Sequence, residues 1–75
     1  MTMGRVAAIG EQVRVAGLAL AGVTVLVAEE PDAVRDAWCD VPEDTGLVIL
    51  TPAAAEALGA EVLDRIPPLT SVLPP

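Results

Sequence analysis

The sequence predicts an α/β fold: a four-stranded parallel sheet in the element order β-α-β-α-β-α-β. Three observations predict it. Short runs rich in apolar residues recur at 5–9, 23–28, 47–50 and 69–73 of a 75-residue chain. The segments between the first three runs and after the third carry helix-start signals or helix-forming composition. Glycines and prolines stand where one element should give way to the next.

Residues 5–9 (RVAAI) read as a first strand closed by Gly10, and residues 11–21 as the helix that follows. The texture changes at Gly22. Leu and Ala before it are helix formers, whereas Val-Thr-Val-Leu-Val after it suits a strand. Gly22 occupies the place of a left-handed helix cap. This reading also settles the most apolar stretch of the chain, 15–28. A membrane helix needs about 20 predominantly apolar residues. The run here is shorter, contains Gly17, Gly22 and Thr24, and ends in Glu29-Glu30-Pro31 without a small-residue cleavage site. It is therefore read as a helix, a stop and a buried strand, with no direct membrane insertion.

Pro31 suits the first position of a second helix, and Glu29, Glu30 and Asp32 favour its positive end. Val34, Ala37, Trp38 and Val41 then recur at i, i+3, i+4, i+7 as one apolar stripe. Residues 42–46 form a turn cluster. The run 47–50 (LVIL) is continuous in apolar residues, as in a strand buried on both faces. Thr51 reads as an N-cap and Pro52 as the first residue of an alanine-rich third helix, which Gly59 ends or which continues toward Arg65. Pro67-Pro68 break the chain, and residues 69–73 form the fourth strand.

With strand order 2-1-3-4, this is the flavodoxin-like order lacking its last strand and C-terminal helix. Right-handed crossovers then place the first helix on one face and the second and third on the other. One face is guarded by a single helix, and the chain stops at Pro75 before another could join it. Strands three and four are expected to present an uncovered apolar face. Its candidate residues are Leu47, Val48, Ile49, Leu50, Leu69, Val72 and Leu73. Alternation sends Leu47 and Ile49 one way and Val48 and Leu50 the other, and which pair faces outward stays open. An exposed apolar patch of this kind marks an interaction site.

No constellation for catalysis emerges. Neither G-x-G-x-x-G nor G-x-x-x-x-G-K-[ST] is present. A phosphoacceptor domain needs an acidic pair after the first strand and an aspartate after the third, where this chain has Gly10-Glu11 and Thr51. Cys39 has no histidine to activate it and reads as a small buried or half-buried residue near a helix end. Ser71 lies in a strand without a base, and Trp38, the only aromatic residue, is assigned to the core. No catalytic residue, cofactor or metal site is expected. Four arginines against eleven acidic residues, a net charge of −7, argue against nucleic acid as a partner. A single cysteine fits a reducing compartment, so a cytoplasmic location is expected. Missing Lys, Asn, Phe, Tyr and His, with abundant Ala, Val and Leu, read as the codon usage of a GC-rich bacterial genome.

Four segments, taken in order, carry a family resemblance. They are Val6-Ala7-Ala8-Ile9-Gly10; Val15-Ala16-Gly17-Leu18-Ala19-Leu20-Ala21-Gly22-Val23; Gly46-Leu47-Val48-Ile49-Leu50-Thr51 with Ala55-Glu56; and Pro68-Leu69-Thr70-Ser71-Val72-Leu73-Pro74. Together they resemble the F-subunit family of the V-type and A-type rotary ATPases (ATP synthases), and the Leu-Ala-Gly segment is the most specific of them. The resemblance implies a parallel sheet with helices on both faces and a non-catalytic role in the central stalk. Such a protein docks on the coiled-coil rotor subunit, supports coupling of ATP turnover to ion transport, and has no nucleotide site. It would sit at the periphery of the inner membrane through its complex. Family members continue past the fourth strand into a helix or tail that reaches the catalytic head; this chain ends at Pro75, so docking is the part of the role carried over. The alternative reading is a self-associating α/β scaffold or regulatory domain, a homo-oligomer formed through the same bare face.

Overall fold

A computed structural model describes residues 4–64 and 68–74. Strands β1 (Arg5–Gly10), β2 (Thr24–Val27), β3 (Thr45–Leu50) and β4 (Leu69–Val72) form one parallel sheet in the order β2-β1-β3-β4. This is the predicted fold class and strand order. The strand-to-strand register is continuous except for an irregularity between Arg5 and Val6.

Register fixes which residues share a face, because partners in adjacent parallel strands point the same way. Leu26 pairs with Ile9, Ile9 with Leu50, and Leu50 with Val72. Ile9, Val48 and Leu50 are fully buried in a cluster with Val34, Ala37, Ala54 and Ala55. Those last four come from α2 (Pro31–Asp40) and α3 (Pro52–Leu58). The stripe on α2 is therefore the core face, with Trp38 and Val41 packed half-buried at its margin. A short α4 (Ala60–Leu63) lies on the same side, where the Thr70 hydroxyl donates to the Leu63 carbonyl at 3.4 Å.

The caps behave as their residue types dictate. The Thr51 hydroxyl accepts from the Ala54 N–H at 3.3 Å, and Pro52 opens α3. Gly59 ends α3 at φ +84°, in a conformation that L side chains avoid, and the chain restarts at once as α4. Both expected fates of this helix are thus realised in succession. Gly22 caps its segment at φ +82°. The predicted stretch 65–67 lies outside the described residues.

The first helix departs from expectation. Only α1 (Gln12–Val15) is α-helical, and Ala16–Ala21 continues as a 3-10 helix. No side chain of that second segment is buried. Helical stability in proteins comes mostly from packing an apolar face, and Gly17 adds backbone freedom. With little packing to hold it, the segment takes the tighter, longer-reaching 3-10 form. Val15 alone anchors it, fully buried but outside the cluster beneath α2 and α3.

Candidate functional site

The sheet face opposite α2 and α3 carries Val6, Ala8, Val25, Val27, Leu47, Ile49 and Leu69, all in one register. Right-handed crossover places α1 on this side. The contacts of α1 and the 3-10 segment with the sheet fall chiefly on β1 and β2. Leu47 and Ile49 on β3 are half-buried, and Leu69 on β4 is 54% exposed. Leu73, just past β4, is half-buried and its N–H donates to the Leu50 carbonyl at 2.8 Å.

Three of the candidate interface residues belong elsewhere. Val48 and Leu50 have no exposure and form the core under α2 and α3, so they cannot line an outer face. Val72 shares register with Leu50 and so lies on the helix-covered side; it is 46% exposed because β4 is an edge strand. The open parity is thereby decided in favour of Leu47, Ile49 and Leu69.

Two further residues have no place in the sequence-based expectation. Val13 and Leu20 are 91% and 94% exposed, the most exposed of the large apolar side chains described. They stand seven positions apart, and the small residues between and beside them, Ala16, Gly17 and Ala21, are exposed as well. The 13, 16, 17, 20, 21 spacing would make one stripe on a continuous α-helix. Through the 3-10 segment from Ala16, at three residues per turn, it does not, and what Val13 and Leu20 share is exposure on one short segment. Assigning the whole segment to covering the sheet obscures that exposure. The Arg14 guanidinium donates to the Pro74 carbonyl, so this segment also reaches the chain beyond β4.

At the carboxyl ends of the strands, where open parallel sheets hold their ligands, Gly10, Glu11 and Thr51 meet. The Thr51 hydroxyl donates to Glu11 Oε1 at 2.6 Å. That bond, the Glu11 backbone N–H and, more weakly, the Arg14 charge hold the Glu11 carboxyl below its ordinary 4.5, against a small opposing effect of burial. A side chain at position 10 would lie 2.2 Å from Thr51 Cγ2, so only glycine permits this approach. A crevice of about 470 Å³ opens beside them, lined in part by Glu11, Glu29, Glu30, Arg35 and Glu56. Four carboxylates face one guanidinium, which is itself paired with Asp32 at 2.8 Å. Such a lining repels phosphates and other anions. Among the described residues, no three His, Cys, Asp or Glu side chains are grouped to hold a metal ion.

Cys39 is exposed, which corrects its placement as buried or half-buried. It falls one position beyond Trp38 on α2, about 100° further around the helix, and so turns away from the apolar stripe. Ser71 is exposed on β4. No helix among the described residues is long and apolar enough to cross a membrane. No protein-family model matches the chain, and no curated protein matches it.

Proposed function

We propose that this chain is a non-catalytic docking subunit, the central-stalk component of a V/A-type rotary ATPase, and that its partner is the coiled-coil rotor subunit. One observation carries the reading: Val13 and Leu20, both more than nine-tenths exposed, on a segment that covers its own sheet poorly. A side chain of this size gains about 1.5–3 kcal/mol when fully buried. The small exposed neighbours Ala16, Gly17 and Ala21 let a partner helix approach this segment closely. The half-covered β3–β4 face, with Leu47, Ile49 and Leu69, extends the apolar surface beside it.

Charge adds to the support. A net charge of −7 is compatible with a basic protein partner and would steer such a partner toward the chain. The four segments that resemble the F-subunit family supply the identity of that partner. In this role the protein works by shape: it braces the rotor and so supports coupling between ATP turnover and ion transport, while the reaction itself belongs to other subunits.

Sizing chromatography with light scattering tests the reading, using the chain alone and mixed with the coiled-coil rotor subunit encoded nearest its gene. A one-to-one complex is the expected result. A homodimer indifferent to the rotor subunit would overturn it and favour the self-associating domain.

A further inference from the structure

β4 and its flanks read almost the same in both directions. The run Pro68-Leu69-Thr70-Ser71-Val72-Leu73-Pro74 is symmetric about Ser71. Proline answers proline, leucine answers leucine, and Thr70 answers Val72, a side chain of the same branched shape. Residues 66–75 carry no charged side chain. The strand is also an edge of the sheet, with Leu69, Ser71 and Val72 exposed.

Hydrogen-bond parity fixes what that edge offers. The Leu73 N–H donates to the Leu50 carbonyl, and Leu50 is in register with Val72. In a parallel ladder alternate residues turn their main-chain groups to the neighbouring strand, so those of Leu69, Ser71 and Leu73 face β3. Thr70 and Val72 therefore point their N–H and C=O groups out of the edge, where no described residue bonds them. Open edges are ordinarily blunted by a charge, a bulge or a proline within the strand. Between its flanking prolines β4 has none of these.

We propose that a second copy of this chain pairs antiparallel with β4 about a two-fold axis at Ser71, joining the two sheets into one. Thr70 then lies opposite Val72 of the second copy and exchanges both main-chain bonds with it, and the axis repeats the exchange. Ser71 meets its own counterpart and Leu69 meets Leu73, in the closer pairs where side chains touch. Alternation puts both leucines on the thinly covered face beside Leu47 and Ile49, so that apolar surface continues across the axis. The prolines fix the register: a slip to either neighbouring in-phase register sets a proline, which has no N–H, opposite Thr70 or Val72. The segment carrying Val13 and Leu20 lies over β1 and β2, away from this edge. The two surfaces are therefore independent, and the paired chain still takes up the rotor subunit one to one.

Sedimentation equilibrium of the chain alone, over a range of concentrations, tests the pairing. The expected result is a reversible monomer–dimer equilibrium. Val72→Pro removes an N–H that points outward and leaves the ladder to β3 intact, which an edge strand tolerates. It should weaken dimerisation at least about 10-fold, because the axis doubles the loss of one bond. Ser71→Lys and Ser71→Glu, at an exposed position, should each be monomeric, with like charges set opposite each other. An equimolar mixture of the two should form a heterodimer. A wild type that stays monomeric at millimolar concentration overturns the proposal. So does a dimer unweakened by folded Val72→Pro or by the charged variants, or an equimolar mixture that stays monomeric. Should Val72→Pro change the circular dichroism spectrum, the charged pair alone decides.

Discussion

Thr51 donates its hydroxyl proton to Glu11 across 40 positions of sequence, joining the ends of β1 and β3 through a 2.6 Å hydrogen bond. The same oxygen accepts from the Ala54 N–H and so caps α3. One fully buried hydroxyl thus serves the sheet edge and a helix start together. Thr51→Val keeps the shape and removes both bonds. Loss of a cap costs about 1 kcal/mol, and a bond to a charged group contributes about 1.5–3 kcal/mol where it is dry. Since Glu11 is only half-buried, the combined loss in urea denaturation should be about 1–3 kcal/mol. Thr51→Ser should retain most of that stability.

Stability should also depend on pH through this pair. The folded Glu11 carboxyl titrates below its ordinary 4.5, so the unfolded chain takes up the proton first as pH falls. The contribution is complete above the ordinary value and is lost as pH drops through the lowered one. The difference in urea midpoint between wild type and Thr51→Val should therefore be constant at neutral pH and narrow on acidification below 4.5.

Gly10→Ala probes the close approach directly. The new methyl carbon would meet Thr51 Cγ2 at 2.2 Å and Oγ1 at 2.6 Å, both on a fully buried residue. Overpacking of this kind costs about 1–3 kcal/mol. The cost should shrink in a Thr51→Ala background, where those two atoms are gone and only Cβ at 2.9 Å remains close. Thermal denaturation of the four members of the double-mutant cycle measures the coupling.

The two faces of the sheet should respond unequally to truncation. Leu50 is sealed under α2 and α3, and Leu50→Ala should cost about 2–5 kcal/mol. Leu69 is more than half exposed on the thinly covered face, and Leu69→Ala should cost below about 1 kcal/mol. Equal losses at the two positions would place both in one core.

Local chemistry makes much of this fold legible. The α2 stripe, the Thr51-Pro52 start, and the glycine stops at Gly22 and Gly59 each follow from a backbone or packing requirement that a single residue type meets. Right-handed crossover then leads from strand order to an asymmetric covering of the sheet. Facing cannot be read inside the run Leu-Val-Ile-Leu, because a strand apolar on both sides has no polar alternation to mark its outer face. The change to a 3-10 helix after Val15 is hidden for a related reason: the segment is apolar all round, and whether it packs depends on tertiary contacts. The bond from Thr51 to Glu11 unites residues distant in sequence, which no local pattern connects. Residue type alone misplaces Cys39, whereas its helical position, one step off the stripe, points outward.

The central claim is that the exposed segment carrying Val13 and Leu20 is a docking surface, and Leu20→Glu tests it most directly. At 94% exposure the substitution should leave the melting temperature nearly unchanged. Isothermal titration against the rotor subunit should show tight wild-type binding and a loss of at least about 30-fold in the variant, as removal of one buried leucine and desolvation of a charge require. Wild-type affinity retained by a folded Leu20→Glu would contradict the account and assign that segment no part in docking.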